Sequence, residues 1–117
     1  MTKSPSIGPV RLGPGAEFDL IRRLISPSDV LPVGVRLGSG DDAAVIEPAR
    51  GTLDVVTTDT LVEGIHFERS FVSAADLGHK TLAVNLSDLA AMGPTPRCAV
   101  LSLVLPATMA AADLDML

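Results

Sequence analysis

The sequence predicts a mixed α/β (α+β) domain, and three observations carry that expectation. Two segments, 17–25 and 74–92, place apolar residues at helical spacing. Short apolar, partly β-branched runs bounded by Gly and Pro fall between and after them, at 33–37, 43–46, 53–57 and 98–105. Composition permits a buried core, since 47% of the 117 residues are hydrophobic and 20% are charged. That length suits one domain, and that composition argues against a disordered or fibrous chain.

Residues 1–14 hold Pro5, Pro9, Pro14, Gly8 and Gly13 without periodicity, so they read as a flexible leader. Glu17 to Ile25 sets Phe18, Ile21, Leu24 and Ile25 on one helical side, with Arg22 and Arg23 on the wet side and Pro27 as the stop. Val33–Leu37 reads as a short strand. Gly38-Ser39-Gly40-Asp41-Asp42 is a turn leading into a strand at Ala43–Ile46. Pro48–Gly51 is turn chemistry and Leu53–Thr57 resumes as a strand, so a hairpin of 43–46 with 53–57 is expected.

Residues 74–92 form the clearest helix. At about 100° per residue, Thr81, Asn85, Asp88 and Met92 share one side, with Ala83, Leu86 and Ala90 opposite. Leu82 and Leu89 flank the polar stripe, which leaves most of the circumference apolar. Such a helix is expected to be buried, with its narrow stripe turned into a polar cavity. Gly93-Pro94 ends it. Cys98–Leu105 is expected as a fully buried strand, and Pro106 opens a further helix through Met109–Leu117. That last run has neither cap nor stop, so 107–117 reads as the start of a truncated helix, with a C-terminal domain absent.

Net charge is −5, which argues against a nucleic-acid surface. The balance is uneven: +2 over residues 1–40, −6 over 41–88 and −1 over 89–117. Acids gathered in the middle form either a solvated face or a cation site. The single cysteine, Cys98, excludes an intrachain disulfide and fits a reducing compartment. No apolar run approaches the ~20 residues that span a bilayer, and no apolar h-region follows Lys3. A soluble cytoplasmic chain without membrane partners is expected.

Several residues could carry chemistry. Two glycines and two carboxylates in the 38–42 turn would let a ligand approach the backbone and attract a divalent cation, although a bland acidic turn is as good a reading. Thr57-Thr58-Asp59-Thr60 closes an apolar strand, where α/β architectures place ligands. Its hydroxyls, carbonyls and carboxylate are the hard oxygens that Mg²⁺ takes; the bland alternative is a strand end with Asp59 bonding its own backbone. Asp88 on the apolar helix is harder to explain blandly, since a lone buried carboxylate is costly. Lys80 lies about 100° off the stripe and is not expected to pair with it. His66 is a base, a ligand-binding group or a surface residue; His79 lies opposite the stripe and is given no role. Cys98 reads as a small hydrophobe. No nucleophile elbow marks a Ser-His-Asp arrangement, and three Phe make no base-stacking platform.

Taken together, Leu37-Gly38-Ser39-Gly40-Asp41-Asp42-Ala43-Ala44-Val45, Thr57-Thr58-Asp59-Thr60-Leu61-Val62-Glu63-Gly64-Ile65-His66-Phe67 and Lys80-Thr81-Leu82-Ala83-Val84-Asn85-Leu86-Ser87-Asp88-Leu89-Ala90-Ala91-Met92-Gly93 closely resemble the N-terminal half of the thiamine-monophosphate kinase family. Gly15-Ala16-Glu17-Phe18-Asp19-Leu20-Ile21 is similar to that family's start, and the likeness covers about residues 15–106. It implies the N-terminal domain of the aminoimidazole-ribonucleotide-synthetase-like fold, a mixed sheet with packed helices whose sheet contributes to a dimeric β-barrel. It also implies a homodimeric kinase that uses ATP and Mg²⁺ to convert thiamine phosphate to thiamine diphosphate. By motif position, Asp42, Thr57, Thr58, Asp59 and Asp88 are its implied Mg²⁺ residues and His66 its implied thiamine-phosphate contact. Asp41 and Asn85 lie inside the motifs and are assigned no ligand role. The family's later Gly-Gly-Asp motif and second domain have no counterpart here, so the chain alone is expected to be inactive. Two alternatives stand beside this: a non-catalytic dimerisation or metal-binding module, and another ATP-using enzyme of the superfamily, such as the purine-pathway ligase or selenophosphate synthetase. The last usually has a reactive Cys or selenocysteine near its N-terminus, whereas Cys98 is late and in an apolar run.

Overall fold

A computed structural model of the chain describes residues 17–25, 31–39, 42–107 and 109–117. The expected leader, the Gly15-Ala16 opening and the Gly40-Asp41 pair lie outside the described residues. The order is α1 (Glu17–Leu24), β1 (Val35–Leu37), β2 (Val45–Ile46), α2 (Ala74–Met92) and α3 (Ala111–Leu114).

Helix α1 forms where its charges suit the backbone dipole, with Glu17 and Asp19 in the first turn and Arg22 and Arg23 in the last. Arg22 reaches back to Asp19 at 3.0 Å. Arg23 is not on the wet side: its side chain is only 18% exposed and pairs with Asp115, tethering α1 to the other end of the described chain.

Strands β1 and β2 pair antiparallel, Val35 opposite Ile46 and Leu37 opposite Val45, with an irregularity between. Gly34 starts this pairing. Its φ of +86° is a conformation open to glycine, and its carbonyl accepts from the Glu47 N–H at 2.7 Å. The expected hairpin of 43–46 with 53–57 is therefore corrected. The turn after Pro48 does form, with the Thr52 N–H donating to the Ala49 carbonyl at 3.1 Å. Leu53–Thr57, however, belongs to no ladder; β2 has its backbone partner upstream. Instead of ladder bonds, the segment is held by side chains, Arg97 on Asp54 at 3.1 Å and Thr57 on Asp88.

Helix α2 is the longest element, at 19 residues. Its start is set by Ser73, whose hydroxyl accepts from the Asp76 N–H at 3.1 Å, an N-cap worth about 1 kcal/mol. Gly93 ends it at φ +80°, its N–H returning to the Leu89 carbonyl. The termini match the sequence expectation; the burial does not. No α2 residue is buried, and Leu82 and Met92 are 52% and 73% exposed. Cys98–Leu105 is corrected in the same way, forming no strand and leaving Val100 and Val104 almost fully exposed, with Cys98 exposed as well. An apolar run is buried only when a layer covers each face, and the described residues supply no such layer over α2 or 98–105.

The final helix is shorter than expected, running only from Ala111 to Leu114. The core of the described residues nevertheless lies at this end: Met109 just before the helix and Leu114 within it are 8% and 1% exposed. Leu117 lies against Gly78 of α2, where a side chain would collide with it. The fold is thus helices with one small antiparallel sheet.

Candidate functional site

The 57–67 segment and the polar stripe of α2 build the site. The helical period puts Thr81, Asn85 and Asp88 on one side, and that side meets the segment directly, so no enclosed cavity is needed. The Thr57 hydroxyl Oγ1 donates to Asp88 Oδ2 at 3.0 Å. The Asp59 N–H donates to Asn85 Oδ1 at 3.0 Å. Asn85 is itself oriented, since its Nδ2 donates to the Thr81 carbonyl at 3.0 Å, while Thr81 Oγ1 donates to the Leu77 carbonyl at 2.8 Å. Thr81 and Asn85 are half-buried, whereas Asp88 is exposed and not the buried carboxylate expected. The geometry engages Asn85 although sequence reasoning gave it no ligand role; its place three residues from Asp88 on one stripe was the available signal.

The next residues form a closed loop. Gly64, at φ +81°, lets its N–H turn back to the Phe67 carbonyl at 2.8 Å. Arg69 pairs with Glu63 across the loop at 2.7 Å, and that carboxylate holds the guanidinium still further above its ordinary range. Inside the loop the Val62 N–H donates to His66 Nδ1 at 3.0 Å. A neutral imidazole that accepts at Nδ1 carries its proton on Nε2, so this turn selects the tautomer that donates from Nε2. Lys80, on α2, donates from Nζ to the His66 carbonyl at 2.7 Å. It makes no pair with Asp88, in accord with its angular offset, and nothing in the sequence marked its link to His66.

Charge pairing divides the described acids only in part, since Glu17, Glu68, Asp76 and Asp113 also make no ion pair with a lysine or arginine among the described residues. Asp19, Glu47, Asp54, Glu63 and Asp115 each pair with an arginine. Among the described residues no Lys or Arg pairs with Asp59 or Asp88. The Asp88 carboxylate, held by a neutral hydroxyl, and the carboxylate of Asp59, whose backbone N–H is held by Asn85, are hard oxygen donors of the kind Mg²⁺ takes, one or two per ion. Asp42 comes from the loop before β2. No three His, Cys, Asp or Glu among the described residues gather at one point that would hold a metal, so Asp42 is not brought together with Asp59 and Asp88.

Comparison with known proteins extends this picture. Residues 40–116 match the family model described as AIR synthase related protein, N-terminal domain. The thiamine-monophosphate kinase of Bacillus subtilis (strain 168) is 44% identical over 90 residues, 77% of this chain and 27% of that protein. That of Escherichia coli (strain K12) is 48% identical over 91 residues, again 77% of this chain and 27% of the relative. That of Synechococcus elongatus is 52% identical over 67 residues, 57% of this chain and 20% of the relative. The chain therefore spans about a quarter of the length of these curated relatives. No solved structure matches it significantly.

Proposed function

The chain belongs to the AIR synthase related family through its N-terminal domain, and from that premise we propose that it supplies the metal-facing half of a thiamine-phosphate kinase. The reaction is transfer of the γ-phosphoryl group of ATP to thiamine phosphate. The bond to the β-phosphate oxygen breaks, a bond to an oxygen of the substrate's phosphate forms, and ADP and thiamine diphosphate leave. One observation carries the assignment: α2 bonds Thr57 through Asp88 and the Asp59 backbone through Asn85, so the 57–59 segment and two acids without an arginine or lysine pair are tied to one side of the helix.

Asp59 and Asp88, with Thr57 and Thr58, would hold Mg²⁺, which when bound would supply neutralisation of the phosphate charge; Asp42 keeps its place in the motif but is not gathered with them in the described fold. The protein residues orient and bind. Thr57 fixes the Asp88 carboxylate, Asn85 fixes the backbone that carries Asp59, and His66 presents its Nε2–H to the substrate phosphate. No side chain is needed as a base, because a phosphate monoester has a second pKa of about 6 and is mostly dianionic at neutral pH. Positioning and charge neutralisation suffice.

A homodimer is part of this proposal. Leu53, Val56, Val100 and Val104 are all more than 85% exposed, an apolar surface that a second copy would cover. No helix among the described residues is long and apolar enough to cross a membrane.

The test is formation of thiamine diphosphate from thiamine phosphate and Mg·ATP by the full-length protein, followed by chromatography. Turnover that disappears in Asp59→Asn supports the proposal. Mg²⁺ binding without turnover would leave a metal-binding module in its place.

A further inference from the structure

Lys80 forms a contact that the proposed chemistry does not use. A helix lysine ordinarily pairs with an acid one turn away, and Asp76 stands four residues before it. The Asp76 carboxylate, however, accepts from Ser73 at 2.6 Å, and Lys80 instead crosses fourteen residues to the carbonyl of His66 at 2.7 Å. The His66 ring is held at its other side by the Val62 N–H on Nδ1. Both the main chain and the ring of His66 are thus clamped, and in this exposed residue Nε2–H remains as the donor open to a ligand. The clamp sits on the same helix as Asp88, two turns away or about 12 Å along the axis. One rigid element therefore sets the spacing between the His66 loop and the carboxylates.

We propose that Lys80 is a positioning residue for the acceptor substrate: it holds His66 so that Nε2–H meets the phosphate group of a phosphate monoester. This rests on the thiamine-phosphate reading of the site. Lys80 acts through His66 and through its own positive charge beside it, and not through the carboxylates, so it affects the acceptor and not the ATP side. Lys80→Met keeps length and helix propensity while removing donor and charge; Lys80→Arg keeps both.

The experiment uses the full-length protein with ¹⁵N-labelled histidine. In wild type the neutral form of His66 should be the Nε2–H tautomer, and thiamine monophosphate should shift its signals. In Lys80→Met the tautomer preference should weaken and the dissociation constant for thiamine monophosphate should rise about ten-fold, the scale of a modest positioning loss. In turnover, KM for thiamine phosphate should rise by the same factor while KM for ATP and the Mg²⁺ dependence stay put. Lys80→Arg should recover most of both. Wild-type His66 signals that ignore thiamine monophosphate would overturn the inference, as would Lys80→Met binding as tightly as wild type. So would kcat and both KM values moving together with a lowered melting temperature, which marks a purely structural lysine. Tight, Lys80-dependent binding without any turnover would sustain Lys80's role and overturn only the kinase assignment.

Discussion

Two regions of the described chain treat their acids differently. Around the sheet, the His66 loop and the C-terminal end, Glu47, Asp54, Glu63 and Asp115 are each neutralised by an arginine. Where the 57–59 segment meets α2, the Asp88 carboxylate accepts from the uncharged Thr57 hydroxyl, and Asn85 holds Asp59 by its backbone N–H, leaving that carboxylate without an arginine or lysine. A carboxylate paired with a guanidinium has already spent its attraction for a cation, whereas one oriented by a hydroxyl or amide retains it. The difference separates acids that tie segments together from acids available to a ligand.

The sharpest way to break this comparison is to neutralise the second region. Asp59→Asn or Asp88→Asn in the full-length protein should lower kcat by about 100-fold or more, the scale of one preorganised electrostatic group. Excess Mg²⁺ should restore part of it in steady-state assays. Loss confined to KM for thiamine phosphate would move these residues to the substrate side.

A smaller effect tests how that region is held. Asn85→Ala removes the acceptor for the Asp59 N–H, a hydrogen bond worth about 1 kcal/mol net. Apparent Mg²⁺ affinity should fall about five-fold, with α2 helicity by circular dichroism unchanged. Affinity equal to wild type would show that Asn85 does not orient Asp59.

The first region should respond weakly. Asp54→Asn breaks the pair with Arg97, whose side chains are 47% and 35% exposed. Its cost in denaturant titration should be about 0.2–1 kcal/mol, with Mg²⁺ affinity unchanged.

The weakest expected effect is a dependence on acid. Hydrogen bonding to Arg23 holds the Asp115 carboxyl below its ordinary value of 3.8 and raises the guanidinium further. A carboxyl lowered in the folded state contributes fully above its unfolded value and loses that contribution as pH falls through the folded one. The α1 tether should therefore hold from neutral pH down to about 4 and loosen below, as faster amide exchange in α1. Asp115→Asn should remove the pH dependence, and a wild type indifferent to pH 3 would show that the tether carries nothing.

Much of the site was legible along the chain. The polar stripe of α2 and the hydroxyl-rich segment at 57–60 were both visible, one from period and one from composition, and the structure places them in contact. The Asp88 environment was misread, because apolar neighbours in sequence implied a cover that the described residues do not provide. The Arg23 pairing was misread for a related cause. Its partner lies 92 residues away, beyond the reach of a local pattern.

What the sequence determined by itself is what depends on neighbours within a few positions. The start of α2 at Ser73, its end at Gly93 and the alignment of Thr81, Asn85 and Asp88 follow from capping and from 3.6 residues per turn. Tertiary structure alone decided that β2 pairs with β1 and not with 53–57, that Asn85 holds Asp59 across 26 residues, and that Lys80 reaches His66. A ladder or a side-chain bond needs two particular groups brought together in space. Periodicity says which face a residue occupies; only the folded chain says what stands opposite it.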